Sequence, residues 1–130
     1  MARPTSRHPT ELELEILKIL WRRGPLPGRG IRDALAETRD LAYTSVMTIM
    51  KIMTEKKYAR REKVGGNFIY HARVTEKTVT QRMLRDIVDR VFDGSAAAVM
   101  LNLLQTADLD EQELKQLREI VNRKAREQLQ

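Results

Sequence analysis

The helical period of this chain breaks once, and that break constrains the fold more than any other feature. Apolar residues recur at helical spacing from Leu12 to Met53 and again from Val79 to Val121. Between these regions, Tyr58–Lys63 and Phe68–Val74 are aromatic, β-branched or alternating, and Val64-Gly65-Gly66-Asn67 separates the two runs. Two short strands flanking a Gly-Gly pair read as a hairpin, because glycine reaches the positive φ values that tight hairpin turns demand.

Three helices precede the hairpin. Thr10-Glu11-Leu12-Glu13 has the form of a capping box, and Leu12, Ile16, Ile19 and Leu20 follow at helical spacing. Gly24-Pro25 ends this helix at about Arg23, and Leu26 to Gly28 reads as a turn. Ile31, Ala34 and Leu35 mark one face of a second helix over about 29–38, and Thr38 to Leu41 connects it to a third over about 43–56. In that third helix Val46, Ile49, Met50 and Met53 face a core, which leaves Thr44, Ser45, Thr48 and Lys51 on the outer face. An ordinary solvated face carries Glu and Lys in i,i+4 pairs. This one is small, polar and free of carboxylates, as a face lying in a DNA groove must be.

The tail is helical by pattern. Thr75 can cap a helix running to about Phe92, with Val79, Met83, Ile87 and Val91 in a stripe, and Asp93-Gly94 stops it. Ser95 starts a very apolar helix containing Leu101, Leu103 and Leu104. Asp110-Glu111-Gln112-Glu113 is a second capping box, opening a helix with Leu114, Leu117 and Val121 along one side. The expected fold is mainly α with a small β-hairpin: a winged helix-turn-helix head over 1–74 and an all-helical dimerisation tail over 75–130. The tail has too little chain to cover its own stripes. Met83, Ile87, Val91, Leu101, Leu104, Leu114, Leu117 and Val121 therefore either meet a second copy, giving a homodimer, or bury against the head in a monomer.

Charge separates the two parts. Residues 1–73 hold 15 Lys and Arg against 8 Asp and Glu, whereas residues 74–130 hold 9 against 10. An excess confined to the head points to a polyanion partner there, or to a plain solvated basic surface. Other classes lose ground. The chain has no cysteine, so disulfides, thiolate metal sites and cysteine nucleophiles are excluded. No apolar run nears the roughly 20 residues a membrane span needs, and Met1–Pro9 lacks the apolar core of a secretory signal. The expectation is a cytoplasmic protein with no direct membrane binding. His8 and His71 are too few for a metal or catalytic site, and Asp86, Asp89 and Asp93 alternate with arginines that can pair with them. No nucleophile elbow, P-loop or zincin motif is present, so the reading is of a non-enzyme without cofactor or metal.

Leu41-Ala42-Tyr43-Thr44-Ser45-Val46-Met47-Thr48-Ile49-Met50 resembles the recognition-helix signature of the BlaI/MecI/CopY penicillinase-repressor family. Glu11 to Trp21 is similar to that family's first helix, Gly65 to Tyr70 to its wing turn, and Asp93-Gly94-Ser95 to the start of its tail, so the likeness covers about residues 10–125. The resemblance implies a dimeric repressor on a palindromic operator in double-stranded DNA, with antibiotic-resistance control in well-known branches. It also implies release by a membrane-bound sensor metalloprotease system through cleavage in the tail. The bond matching the family's Asn-Phe site is Asn102-Leu103, where the Asn is kept and the Phe is not. Copper-sensing members carry a C-terminal cysteine motif, which this chain lacks.

A recognition helix reads base edges in the major groove. Thr44, Ser45 and Thr48 supply hydroxyls and methyls for bases or phosphates, and Lys51 reaches either. Many family members have Arg at the following position, where this chain has Ile52. Tyr43 either anchors a phosphate through its hydroxyl or packs on the core. Arg61, Lys63 and Asn67 are the wing's expected phosphate contacts, with Arg60 and Arg61 pointing to opposite sides. Two other functions stay open: a dimeric winged-helix adaptor without sequence-specific DNA binding, and a directly ligand-sensing regulator.

Overall fold

The computed structural model describes residues 8–129; residues 1–7, most of the N-terminal basic stretch, lie outside them. Thr10 caps α1 (Glu11–Arg23) in a two-way box: its hydroxyl accepts from the Glu13 N–H at 3.1 Å, and its own N–H donates to the Glu13 carboxylate at 2.8 Å. Gly24, at φ 83°, ends the helix where no side chain is tolerated easily. The stretch expected as a turn is a strand: β1 (Leu26–Pro27) pairs antiparallel with a strand of the hairpin. Two residues are too few to display a period, and proline is compatible with an edge strand because it needs no ladder partner for a missing N–H. α2 (Gly28–Leu35) ends three residues earlier than expected, with Thr38 and Arg39 N–H groups turning back onto the Leu35 carbonyl. α3 (Tyr43–Glu55) follows.

The hairpin consists of β2 (Ala59–Val64) and β3 (Asn67–Ala72), with Val64 opposite Asn67 as the last rung. Gly65 and Gly66 form its two-residue loop at φ 56° and 86°, the positive pair that matches strand twist. The sheet order is β1-β3-β2, all antiparallel. One core joins these elements: Ile16, Leu17 and Leu20 of α1, Ile31 and Leu35 of α2, Val46, Met50 and Met53 of α3, and Ala59 and Tyr70 of the sheet. The Trp21 indole N–H donates to the Val74 carbonyl at 2.9 Å and pins the chain as it leaves the sheet.

The tail helices are α4 (Glu76–Val91), α5 (Ala96–Thr106) and α6 (Glu111–Gln128). Thr75 caps α4, Ser95 caps α5, and Asp110 with Glu113 forms the second capping box. Asp93 and Gly94, both at positive φ, end the α4 segment. The chain divides into two compact units inside α4, between Arg85 and Asp86. The architecture is a three-helix head with a three-stranded wing, followed by a helical tail.

Candidate nucleic-acid interface

α3 turns one side to the core and leaves the other bare. Val46, Met50 and Met53 are fully buried, while Thr44, Ser45, Thr48 and Lys51 are exposed. The Thr48 hydroxyl donates to the Thr44 carbonyl at 3.0 Å, which leaves its lone pairs and methyl facing outward. Both ends of the helix are anchored. Near its start, a Cβ on Gly28 would lie 2.1 Å from the Met47 methyl, so only glycine lets α2 approach this closely without displacing that side chain. The Tyr70 hydroxyl donates to the Met47 sulfur at 3.8 Å. Beyond its end, the Lys56 ammonium donates to both Glu13 oxygens, at 3.1 and 3.2 Å, and Glu13 is buried. The carboxylate that caps α1 therefore also fixes the far end of α3.

The wing's register sorts its charges. Arg61 lies opposite Tyr70 and Lys63 opposite Phe68, so all four share the sheet face that carries the core residues Ala59 and Tyr70. The Arg61 guanidinium lies over the Phe68 ring, 4.4 Å from its centroid. Burial pushes the Tyr70 hydroxyl up, opposed by the nearby Arg61 charge. Arg60 is opposite His71 on the other face, where His71 Nε2 is 2.9 Å from a Glu62 carboxylate oxygen. Asn67 pairs with Val64 at the tip, and its parity places it on that second face, away from Arg61 and Lys63. Arg61, Lys63 and Asn67 are all exposed.

A cleft of about 700 Å³ opens between the start of α2, the first turn of α3 and β3. Tyr43 lines it, 39% exposed, so it is neither core nor free. Arg29, absent from the residues singled out by sequence, lines it too, with its guanidinium 5.7 Å from the Tyr43 ring centroid. The available signal was the triplet Gly28-Arg29-Gly30, a lone cation between glycines; its partner Tyr43 is fourteen positions away, beyond the reach of local pattern.

Carboxylates pair with four of the head's cations among the described residues. Arg23 pairs with Glu37 at 3.3 Å, Arg32 with Asp33 at 3.3 Å, Arg39 with Glu15 at 2.7 Å, and Lys56 with Glu13. Hydrogen bonds from the Thr38 hydroxyl and the Arg39 guanidinium hold the Glu15 carboxyl below the usual carboxylate range. Among the described residues of the head Arg29, Lys51, Arg61 and Lys63 have no carboxylate at ion-pair distance, and neither do Lys18, Arg22, Lys57, Arg60 and Arg73. Capping separates the helices more sharply. α2 and α3 begin at Pro27 and Ala42 with no side-chain cap and no acid in the first turn, whereas α1 and α6 begin with acidic capping boxes.

The tail has a different surface. Among the described residues α5 and α6 bury none. Ile87, Val91, Leu101, Leu104, Leu114, Leu117 and Val121 are 41–66% exposed, and Met83 is half-buried. Leu104, Leu117 and Val121, with Met100, Leu103 and Ile120, line one apolar groove of about 440 Å³ between α5 and α6. Asn102 and Leu103 are exposed but lie in the body of α5, where the Thr106 hydroxyl donates to the Asn102 carbonyl at 2.8 Å. Among the described residues no helix is long and apolar enough to cross a membrane, and no cluster of side chains could hold a metal.

The sequence model of the family described as penicillinase repressor matches residues 9–123. The methicillin resistance regulatory protein MecI of Mammaliicoccus sciuri is 24% identical over 112 residues, 86% of this chain and 91% of that protein. The penicillinase repressor of Bacillus licheniformis is 22% identical over 112 residues, 86% of this chain and 88% of that protein. Winged head and helical tail match together, and the chain belongs to the penicillinase repressor family.

Proposed function

We propose that this chain is a cytoplasmic, homodimeric transcriptional repressor that lays one α3 into the major groove at each half-site of a palindromic operator. The observation that carries this reading is the distribution of carboxylates. They pair with Arg23, Arg32, Arg39 and Lys56 and leave Lys51 of α3 and Arg61 and Lys63 of the wing without an acid at ion-pair distance among the described residues, while the one acid of α3, Glu55, sits in its last turn. Uncapped, acid-free starts on α2 and α3 support it, since such helix ends favour phosphate over side-chain partners. In this reading Thr44, Ser45, Thr48 and Lys51 choose the sequence. Tyr43, Arg61, Lys63 and Asn67 hold the backbone.

Residues 75–130 would hold two heads together through the apolar faces of α4, α5 and α6. Their exposure within the tail's own fold calls for a cover, which this reading supplies with a second copy. Release by a sensor metalloprotease system at Asn102-Leu103 belongs to the same reading. Such cleavage requires α5 to open first, because proteases take their substrates extended and this bond is helical.

A mobility shift with the DNA upstream of the protein's own gene tests the proposal, with a mixed-sequence duplex as competitor. A repressor shifts the upstream fragment at concentrations that leave the competitor free, and the shift weakens steeply with salt. Binding of neither fragment makes the chain an adaptor.

A further inference from the structure

We propose that Arg29 is a phosphate-contacting residue of the interface, positioned for that contact by the ring of Tyr43. The inference rests on the DNA-binding reading of α3 and the wing, and adds to it a contact from α2. Three observations converge on this arginine. It lines the cleft shared by Tyr43, Met47, Asn67 and Phe68, which is large enough to admit a phosphodiester group with its flanking sugars. Its guanidinium rests 5.7 Å from the Tyr43 ring centroid. It also lacks a carboxylate partner among the described residues, whereas Arg32, one turn along the same helix, is paired with Asp33.

Stacking and hydrogen bonding use different parts of a guanidinium. The ring engages the flat face, and the five N–H donors point outward in the plane of the group. An arginine held over an aromatic ring is therefore limited in its rotamers but keeps its donors available, and it loses less freedom when a phosphate arrives. Arg61 over Phe68 repeats the arrangement on the wing, and Phe68 lines the same cleft. The cleft thus carries a ring-supported arginine from α2 and is bordered by a second from β2. A backbone phosphate seated there would be gripped from both the helix-turn-helix and the wing. Its register on the duplex would then follow from the head as a whole rather than from α3 alone.

Phosphate contacts act on any sequence, so the test needs no knowledge of the operator. The full chain is titrated with a fluorescently labelled mixed-sequence duplex several helical turns long, across a series of salt concentrations. For Arg29→Ala the slope of log K against log salt should become shallower by about 0.9 per head. Arg29→Lys, which restores the charge, should restore the slope. Arg22→Ala, an equal loss of charge at the end of α1, should leave it unchanged. Tyr43→Leu should weaken binding severalfold in the parent chain, and that effect should shrink in the Arg29→Ala background if the ring acts by positioning Arg29.

A purely structural role for Arg29 would lower the melting temperature and leave the slope alone, which overturns the inference. An Arg29→Ala slope equal to that of Arg22→Ala does the same while the DNA-binding reading stands. If the parent chain shows no salt-dependent binding to duplex, the reading and the inference fall together. An undiminished Tyr43→Leu effect in the double variant removes the positioning role.

Discussion

The head and the tail are built from helices of similar amphipathic design, yet one closes on itself and the other does not. In the head α1 alone fully buries Ile16 and Leu17, and α3 fully buries Val46, Met50 and Met53. In the tail α5 and α6 together bury no described residue. The difference lies in what each apolar stripe can meet. The head's stripes converge on one another from three helices and are covered from a further direction by a sheet carrying Ala59 and Tyr70. The tail's stripes run along helices whose shared groove is still open at Leu104, Leu117 and Val121. A hydrophobic stripe states that a helix must be covered; it does not state by which molecule.

Removing the tail breaks this comparison most directly. A chain ending at Met100 keeps the whole head core and loses Leu103, Leu104, Leu114, Leu117 and Val121. It should melt cooperatively and sediment as a monomer. Its operator affinity should fall by about 10²–10⁴, the advantage that joining two heads confers. A truncated chain that stays dimeric would place the interface in α4 or the head and refute the assignment to α5 and α6.

Single truncations of leucine sharpen the contrast. Leu17→Ala should destabilise the head by about 2–5 kcal/mol, independent of protein concentration, because its cavity lies within one chain. Leu117→Ala should instead give a melting temperature that depends on protein concentration more strongly than the parent's, because in the proposed dimer its partner atoms are on another molecule. Sedimentation and melting at two concentrations decide. A concentration-independent loss at Leu117 would mean that the tail completes its own core.

A smaller effect is expected at the reading face. Thr48→Ala removes a hydroxyl and a methyl from exposed helix, so stability should hardly change. Discrimination between operator and mixed-sequence DNA should drop by about 1–3 kcal/mol for each base that Thr48 reads. Competition binding measures this, and an unchanged preference would take Thr48 off the reading face.

The smallest effect concerns acid. Thr38 and Arg39 hold the Glu15 carboxyl below its ordinary range, so its contribution to head stability is present above the unfolded carboxylate's pKa. That contribution is lost as pH falls through the lowered folded value. Glu15→Gln should flatten this part of the head's acid-unfolding curve and leave stability near neutral pH little changed, since the carboxylate is partly solvated. Circular dichroism against pH follows it; an unaltered acid limb would show that the Glu15 hydrogen bonds are too solvated to matter.

Most of the fold was legible in the sequence because its signals are local. Capping boxes at Thr10 and Asp110, the stop at Gly24-Pro25 and the Gly65-Gly66 loop each announce themselves within four residues. β1 was not legible, since Leu26-Pro27 is too short to alternate and is a strand only because Tyr70 and Ile69 lie beside it. The interface divides in the same way. Helical spacing exposed Thr44, Ser45, Thr48 and Lys51, and strand parity separated Arg60 from Arg61. The hairpin pattern marks Asn67 as a wing residue with Arg61 and Lys63, but only the register shows that it lies on the other strand face. Arg29 depended on a ring brought to it by the packing of α2 against α3, which no local pattern records.

The two anchors on α3 have a consequence for how such a chain can change over generations. Gly28, Met47 and Tyr70 locate its beginning, and Glu13 with Lys56 locates its end. Between them the side chains of Thr44, Ser45 and Lys51 make no hydrogen bond or ion pair to the rest of the head, among the described residues. Substitutions at these positions leave the scaffold's stability almost untouched. In the proposed reading a lineage can therefore alter this face step by step, and drift from one promoter to another, without passing through an unfolded ancestor.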